Sequence, residues 1–276
     1  MALDTDASGG VPVCPPLQIA ELTHRKLAFR SQGEGKAIVF LHGLLGSSKS
    51  WAFQLEHFSR RYQAIAWDAP GFGESEMVPE SIDAYVEVLR EFLAKLDESM
   101  VFLVGHSMGG TVASRFAAKY PQTVSRLVLS CTHPGYALPE SVPMPPKFLN
   151  RMRELAEIGP QAYGIKRATD LLPTPCSAEV FNYAAQVASE TKPEGLRRAT
   201  RMLQLADNRP LLPTLKMPVL ILTGAIDTVV QPALNADLLR LTPFTRHVEM
   251  PGIAHAPYFQ EPLYYNGLIE TFLSEK

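Results

Sequence analysis

Residues 101–120 read Val-Phe-Leu-Val-Gly-His-Ser-Met-Gly-Gly-Thr-Val-Ala-Ser-Arg-Phe-Ala-Ala-Lys-Tyr, and this stretch decides the fold class. An apolar run of strand character enters a glycine-flanked serine, Gly105-His-Ser-Met-Gly109, and then a helix-forming segment. In that setting a G-x-S-x-G turn lifts a serine hydroxyl off the end of a sheet. Side chains at Gly105 or Gly109 would collide within so tight a strand-to-helix turn. The opening of the helix offers backbone N–H groups to an anion forming beside Ser107. Glycine and serine are common, so the pentapeptide alone would also fit a structural turn. The strand before it and the helix after it favour a nucleophile.

Outward from this point, extended and helical segments alternate, which predicts an α/β sheet. Strands are expected at 17–20, 25–30, 37–41, 64–67, 101–104, 127–129, 219–222 and 247–250. Most are continuous apolar runs, as strands covered on both faces require. Ile82, Tyr85, Val86, Leu89, Phe92, Leu93 and Leu96 fall on one face of a helix over 82–96. Further helices are expected at 112–120, 233–241 and 263–272. The sheet is therefore read as mostly parallel and doubly wound, with residues 17–133 and 213–276 forming its core. Residues 134–212 interrupt the rhythm: five prolines fall between Pro134 and Pro146, and helical segments follow at 147–158, 161–171, 178–189 and 194–206. An insertion at a strand's C-terminal end lies where ligands bind in such folds, so it is read as a helical cap over the site rather than a separate domain. Residues 1–16, polar with two glycines and three prolines, are read as a flexible tail.

A chain of 276 residues with 46% hydrophobic and 20% charged content has the composition of an ordinary soluble protein. A net charge of −2 gives no reason to expect a nucleic acid or an anionic membrane as partner. No apolar run is long enough to span a bilayer, and the N-terminus lacks a signal-peptide pattern. Cys14, Cys131 and Cys176 are odd in number, lack metal-ligand spacing and suit a reducing cytoplasm.

A serine hydroxyl needs a base in reach and a third group to orient that base. Of seven histidines, His24 and His57 lie in surface-like segments, and His247 alternates within a strand. His42 and His106 belong to glycine turns, and His133 follows a strand end where it can line a pocket. His255, in Pro-Gly-Ile-Ala-His-Ala-Pro between the last strand and last helix, is the expected base. The acid follows as Asp227 in Thr-Gly-Ala-Ile-Asp, on the loop leaving strand 219–222; its competing role is a helix cap ahead of Pro232. Backbone N–H groups of Leu44, in the turn His42-Gly-Leu-Leu-Gly, and of Met108 are the expected oxyanion donors. Trp51, Met108, His133 and Tyr258 are expected to line the substrate pocket. The glycine turns lack either nucleotide-binding pattern, and no residue cluster points to a metal or other cofactor.

Together His42-Gly-Leu-Leu-Gly-Ser, Asp68-Ala-Pro-Gly-Phe-Gly-Glu-Ser, Gly105-His-Ser-Met-Gly-Gly, Gly224-Ala-Ile-Asp and Ala254-His-Ala-Pro resemble the α/β-hydrolase superfamily, in its order, over residues 36–273 outside the cap. The resemblance implies Ser107 as nucleophile, Asp227 as acid, His255 as base, and Leu44 and Met108 as oxyanion donors. Dehalogenases and epoxide hydrolases of this fold carry aspartate at the elbow, unlike Ser107. Meta-cleavage C–C hydrolases show Gly-Pro-Gly-Ala after the first His-Gly and tryptophan after the catalytic histidine, where this chain has Leu-Leu-Gly-Ser and Ala256. The segment 254–259 is similar to carboxylesterases of pimeloyl-carrier-protein methyl esters, and the glycine motifs to oxoadipate enol-lactonases and cofactor-free haloperoxidases.

The expected activity is hydrolysis of a small or medium carboxylic ester or lactone through an acyl-enzyme. The alternatives are C–C bond hydrolysis of a diketone-like compound and a ligand-binding receptor on the same fold, because one fold hosts many chemistries. Arg151, Arg153, Arg167, Arg197, Arg198 and Arg201 of the cap are candidate contacts for an acidic substrate or an acyl carrier protein, against the plainer reading of a solvated helix face.

Overall fold

The computed structural model describes residues 10–174 and 176–275. Its strands are β1 (Gln18–Glu21), β2 (Lys26–Gln32), β3 (Ala37–Leu41), β4 (Gln63–Trp67), β5 (Val101–His106), β6 (Val124–Ser130), β7 (Val219–Gly224) and β8 (Thr245–Met250). Its helices are α1 (Ala52–Phe58), α2 (Ile82–Lys95), α3 (Met108–Lys119), α4 (Pro146–Leu171), α5 (Ala178–Ser189), α6 (Pro193–Leu205), α7 (Pro232–Leu241), α8 (Pro257–Gln260) and α9 (Pro262–Ser274). The eight strands form one sheet in the order β1-β2-β4-β3-β5-β6-β7-β8. Only the β1–β2 and β2–β4 pairs are antiparallel, so the expected mostly parallel α/β sheet is the one observed.

Successive strand residues point to opposite faces, and the apolar runs divide accordingly. Val39, Leu41, Ile65, Trp67, Leu103 and Leu129 pack with Val86, Leu89 and Phe92 of α2 and Val112 and Phe116 of α3. Ile38, Phe40, Ala66, Val104, Val128 and Leu222 pack with Leu55 and Phe58 of α1 and Ile269 and Phe272 of α9. Every residue of β3 and β5 is buried because both faces are covered.

Three helices depart from the sequence reading. Helix α3 starts at Met108, four residues before the expected Val112, because Gly109 and Gly110 sit in its first turn against Leu41 and Thr132. Short α1 and α8 carried no periodic signal long enough to read. The insertion leaves the sheet after β6 and returns at β7, carrying α4 to α6. Helix α4 bends where the sequence expected a break, at Gly159 (φ 78°) followed by Pro160. Leu196, Met202 and Leu203 of α6 join one core, and Ala168 of α4 with Ala184 of α5 join the other. Of the segment expected to be a flexible tail, residues 1–9 lie outside the described residues. Beyond them the Val11 N–H donates to Glu179 Oε1 on α5 (2.7 Å), and Cys14 Sγ lies 3.2 Å from the Tyr183 hydroxyl.

Candidate active site

The C-terminal ends of the parallel strands deliver one residue each to a common point: the turn after β3, Ser107 after β5, His133 after β6, Asp227 after β7 and His255 after β8. Ser107 has φ 52° and ψ −118°, a backbone region ordinarily left to glycine. Such strain costs about 1–3 kcal/mol and persists only where neighbours enforce it. Here the Ser107 N–H donates to the Ser130 carbonyl (2.9 Å), and the Thr132 hydroxyl donates to the Ser107 carbonyl (2.5 Å). A β-carbon on Gly105 would come within 2.5 Å of the Gly109 carbonyl oxygen, and one on Gly109 would strike the Leu41 carbonyl. Both glycines are needed because backbone packs directly on backbone.

His255 bridges the serine and the carboxylate. Its Nδ1–H donates to Asp227 Oδ2 (2.8 Å), which leaves Nε2 to accept from the Ser107 hydroxyl at 3.1 Å. The second Asp227 oxygen, Oδ1, accepts from the N–H groups of Val229 (2.8 Å) and Val230 (2.9 Å). Burial pushes the Asp227 carboxyl up, but the His255 hydrogen bond and charge, with the two backbone donors, outweigh it and hold the carboxyl below its ordinary range. Asp227 therefore orders its own loop and orients His255 at once. This arrangement can draw the Ser107 proton toward Nε2 while the ionised carboxylate stabilises the imidazolium that results.

Among the described residues neither the Leu44 nor the Met108 N–H finds an acceptor. Met108 opens α3, where the first N–H groups lack intrahelical partners, and no side chain caps them. The Leu44 turn is held by His42, whose Nε2 accepts from the Ala69 N–H (2.9 Å), so that Nδ1–H donates to the Gly43 carbonyl (2.7 Å). Burial pushes the His42 pKa down, keeping the ring neutral as this pattern requires.

The sequence reading gave His106 only local packing, yet the structure ties it to His255. Its Nε2 donates to the His255 carbonyl at 2.7 Å, and its ring centroid lies 4.8 Å from the His255 ring and 4.8 Å from that of Tyr258. Burial, reinforced by the neighbouring His255 charge, pushes its pKa down to about 3. The only sequence signal for this contact was the placement of both histidines at strand exits.

A cavity of about 430 Å³ opens over Ser107 and His255. His133 and Tyr258 line it. Trp51 does not: it is fully buried beneath the floor, with ring centroids 5.0 Å from Phe40 and 4.9 Å from Tyr258. The Met108 side chain is likewise buried in the core rather than facing the cavity, so only its N–H is offered. Of the arginines on α4 to α6, Arg151 and Arg167 reach the cavity. Arg153 pairs with Glu157, Arg197 and Arg198 with Glu194, and Arg201 donates to the Glu140 and Val142 carbonyls.

Among the described residues, one group has metal-ligand proximity: Cys131, Asp227 and His255, with donor atoms within 4.8 Å of one another. Its chemistry is not that of a cage. His255 Nδ1–H already donates a hydrogen bond to Asp227, and burial with the Asp227 charge pushes the Cys131 thiol up, keeping it protonated.

Comparisons with known proteins bear on the fold and the family. A family model described as alpha/beta hydrolase fold matches residues 36–262. A pimeloyl-[acyl-carrier protein] methyl ester esterase of Vibrio vulnificus is 27% identical over 241 residues, covering 86% of this chain and 93% of its own. An esterase of Thermogutta terrifontis superposes with a TM-score of 0.78 at 27% identity, over 94% of this chain and 98% of that one. The enol-lactonase of Burkholderia xenovorans shares the fold, with a TM-score of 0.81 at 22% identity over 94% of this chain and all of its own. The sheet order, the serine turn and a family match over most of the sequence lead to one conclusion: this chain belongs to the alpha/beta hydrolase fold family.

Proposed function

We propose that this protein is a serine hydrolase that cleaves a small or medium carboxylic ester or lactone through an acyl-enzyme. The observation that carries the reading is the continuous chain from the Ser107 hydroxyl through His255 to Asp227, set at the floor of a cavity beside two unengaged N–H groups. In this reading His255 Nε2 takes the Ser107 proton as Oγ attacks the carbonyl carbon. The Leu44 and Met108 N–H groups stabilise the resulting oxyanion, a contribution worth about 3–4 kcal/mol per donor where one has been removed. On collapse, His255 returns the proton to the leaving alkoxide, and the acyl group remains on Oγ. Water then attacks the acyl carbon, giving its proton to His255, and Ser107 leaves with that proton restored.

The cavity volume is in the range that encloses small organic ligands and supports the size class. The Vibrio relative acts on an ester borne by an acyl carrier protein, and such a carrier is the macromolecular partner this reading allows. Three free cysteines suit a cytoplasmic setting. Among the described residues no helix is long and apolar enough to cross a membrane. The test is a rapid-mixing experiment with 4-nitrophenyl acetate. A nitrophenolate burst of one equivalent per chain, absent from Ser107→Ala, is expected. Turnover confined to a vinylogous diketone would replace ester cleavage with C–C hydrolysis, and binding without any turnover would replace it with a receptor.

A further inference from the structure

The cavity wall opposite the sheet carries charge that the reaction above does not use. Lys147 and Arg151 stand one turn apart on α4, and both line the cavity that holds Ser107 and His255. Lys147 Nζ donates to the Tyr136 hydroxyl (3.2 Å) and lies 4.6 Å from the Tyr136 ring centroid, which fixes the ammonium at the rim. Among the described residues neither Lys147 nor Arg151 has a carboxylate partner. The third cation of this wall, Arg167, is neutralised by Asp170 (3.0 Å) and Glu154 (3.1 Å). Asp170 is thereby occupied as well, so Lys147 and Arg151 stand on this wall without an ion-pair contact of their own.

His133 adds a neutral donor to the same wall. The Gly135 N–H donates to its Nδ1 at 3.1 Å, which places the ring proton on Nε2, and that N–H has no partner among the described residues. Its ring centroid lies 4.6 Å from that of Tyr136, so His133, Tyr136 and Lys147 form one continuous surface. Burial, with the charges of Lys147, His255 and Arg209, pushes the His133 pKa down to about 4.

We infer that Lys147, Arg151 and the His133 N–H form an anion-recognition subsite, and that the substrate carries a free carboxylate in addition to the bond that is cleaved. Such a group fits the two cations as charge-assisted hydrogen-bond acceptor and accepts from the imidazole N–H. Among the described residues the other arginines of α4 to α6 are taken up by carboxylates or, for Arg201, by backbone carbonyls, whereas Arg151 has neither and Lys147 has only the Tyr136 hydroxyl. This deepens the ester-hydrolase reading and rests on it for turnover.

The test compares two pairs of probes matched in shape: monomethyl adipate against methyl hexanoate, with the carboxylate on the acyl side, and 3-carboxyphenyl acetate against phenyl acetate, with it on the alcohol side. Hydrolysis is followed in low salt for the native protein and for Lys147→Met/Arg151→Gln. Charged hydrogen bonds of about 1.5–3 kcal/mol predict a preference of about tenfold or more in kcat/KM for the acidic member of one pair, expressed chiefly in KM. The double variant should lose at least about tenfold more on that acidic ester than on its neutral partner, and 0.5 M salt should narrow the native preference. Equal or better use of both neutral esters by the native protein overturns the subsite while leaving the hydrolase reading intact. Calorimetric binding of the same probes to Ser107→Ala reads the subsite without turnover. Tighter binding of an acidic probe, lost in the triple variant, upholds the subsite even if no ester is cleaved, and equal binding overturns it.

Discussion

Replacing Asp227 by asparagine should disable the site through the tautomer of His255 rather than by disturbing the fold. Asp227 accepts three hydrogen bonds, from the Val229 and Val230 N–H groups on Oδ1 and from His255 Nδ1 on Oδ2. An asparagine has one oxygen and one NH2 for these duties. Turning the NH2 toward Val229 and Val230 would leave two backbone donors unpaired, at about 1–3 kcal/mol each. The amide oxygen therefore stays with the backbone, and Nδ2 donates to His255 Nδ1. That forces the imidazole proton onto Nε2, where the ring can no longer accept from Ser107. A bias of about 2–6 kcal/mol leaves a competent fraction of roughly 1 in 30 to 1 in 3 × 10⁴. With the carboxylate charge also lost, a rate loss near the ~10⁴-fold effect of the equivalent change in a serine protease is expected. The assay is the pre-steady-state acylation rate on 4-nitrophenyl acetate, with calorimetry to check folding. Because both backbone bonds survive, Tm should move by only a few degrees. Acylation within about tenfold of the native rate would refute the argument and place the acid elsewhere.

Gly109→Ala should destabilise and inactivate together, since the new methyl group meets the Leu41 and His42 backbone rather than a movable side chain. Overpacking of about 1–3 kcal/mol, or more against backbone, predicts a Tm loss of several degrees; an unchanged Tm would show that the turn has slack. Acid should unfold the protein through its buried neutral histidines, His42, His106 and His133. Their folded pKa values lie below the ordinary 6.5, so their stabilisation is complete above that pH and is lost as pH falls toward about 4 for His133 and about 3 for His106. Each contributes a slope of about 1.4 kcal/mol per pH unit in that window. Urea unfolding at pH 7.5, 6, 5 and 4.5 measures it, and a flat profile would contradict the buried neutral rings.

What was legible in the sequence follows from backbone and period. The apolar runs of β3, β5 and β7 could be read because both faces of those strands are covered, and the strand exits then placed Ser107, Asp227 and His255 on one edge. The free Leu44 and Met108 N–H groups could be anticipated from the turns, since a backbone N–H needs no side-chain information. Pocket lining was another matter. Trp51 turns into the core because a short helical turn over Ser48–Trp51, with no periodic signal, aims the indole at Phe40, and the Met108 side chain packs into the core from the first turn of α3. The contact from His106 to the His255 carbonyl joins residues 149 positions apart, beyond any local pattern. The arginines of α4 to α6 looked alike in sequence, and the partners supplied by Glu157, Glu194, Glu154 and Asp170, with the Glu140 and Val142 carbonyls for Arg201, separate the occupied ones from Arg151.

The central claim is that the Ser107 oxygen carries the acyl group during turnover. Acid quenching during the 4-nitrophenyl acetate burst, followed by proteolysis and peptide mass spectrometry, tests it directly. The account predicts one acetyl group per chain on the peptide containing Ser107, with the modification mapped to that residue. An acetyl group on any other residue, or a full burst from Ser107→Ala, would contradict it.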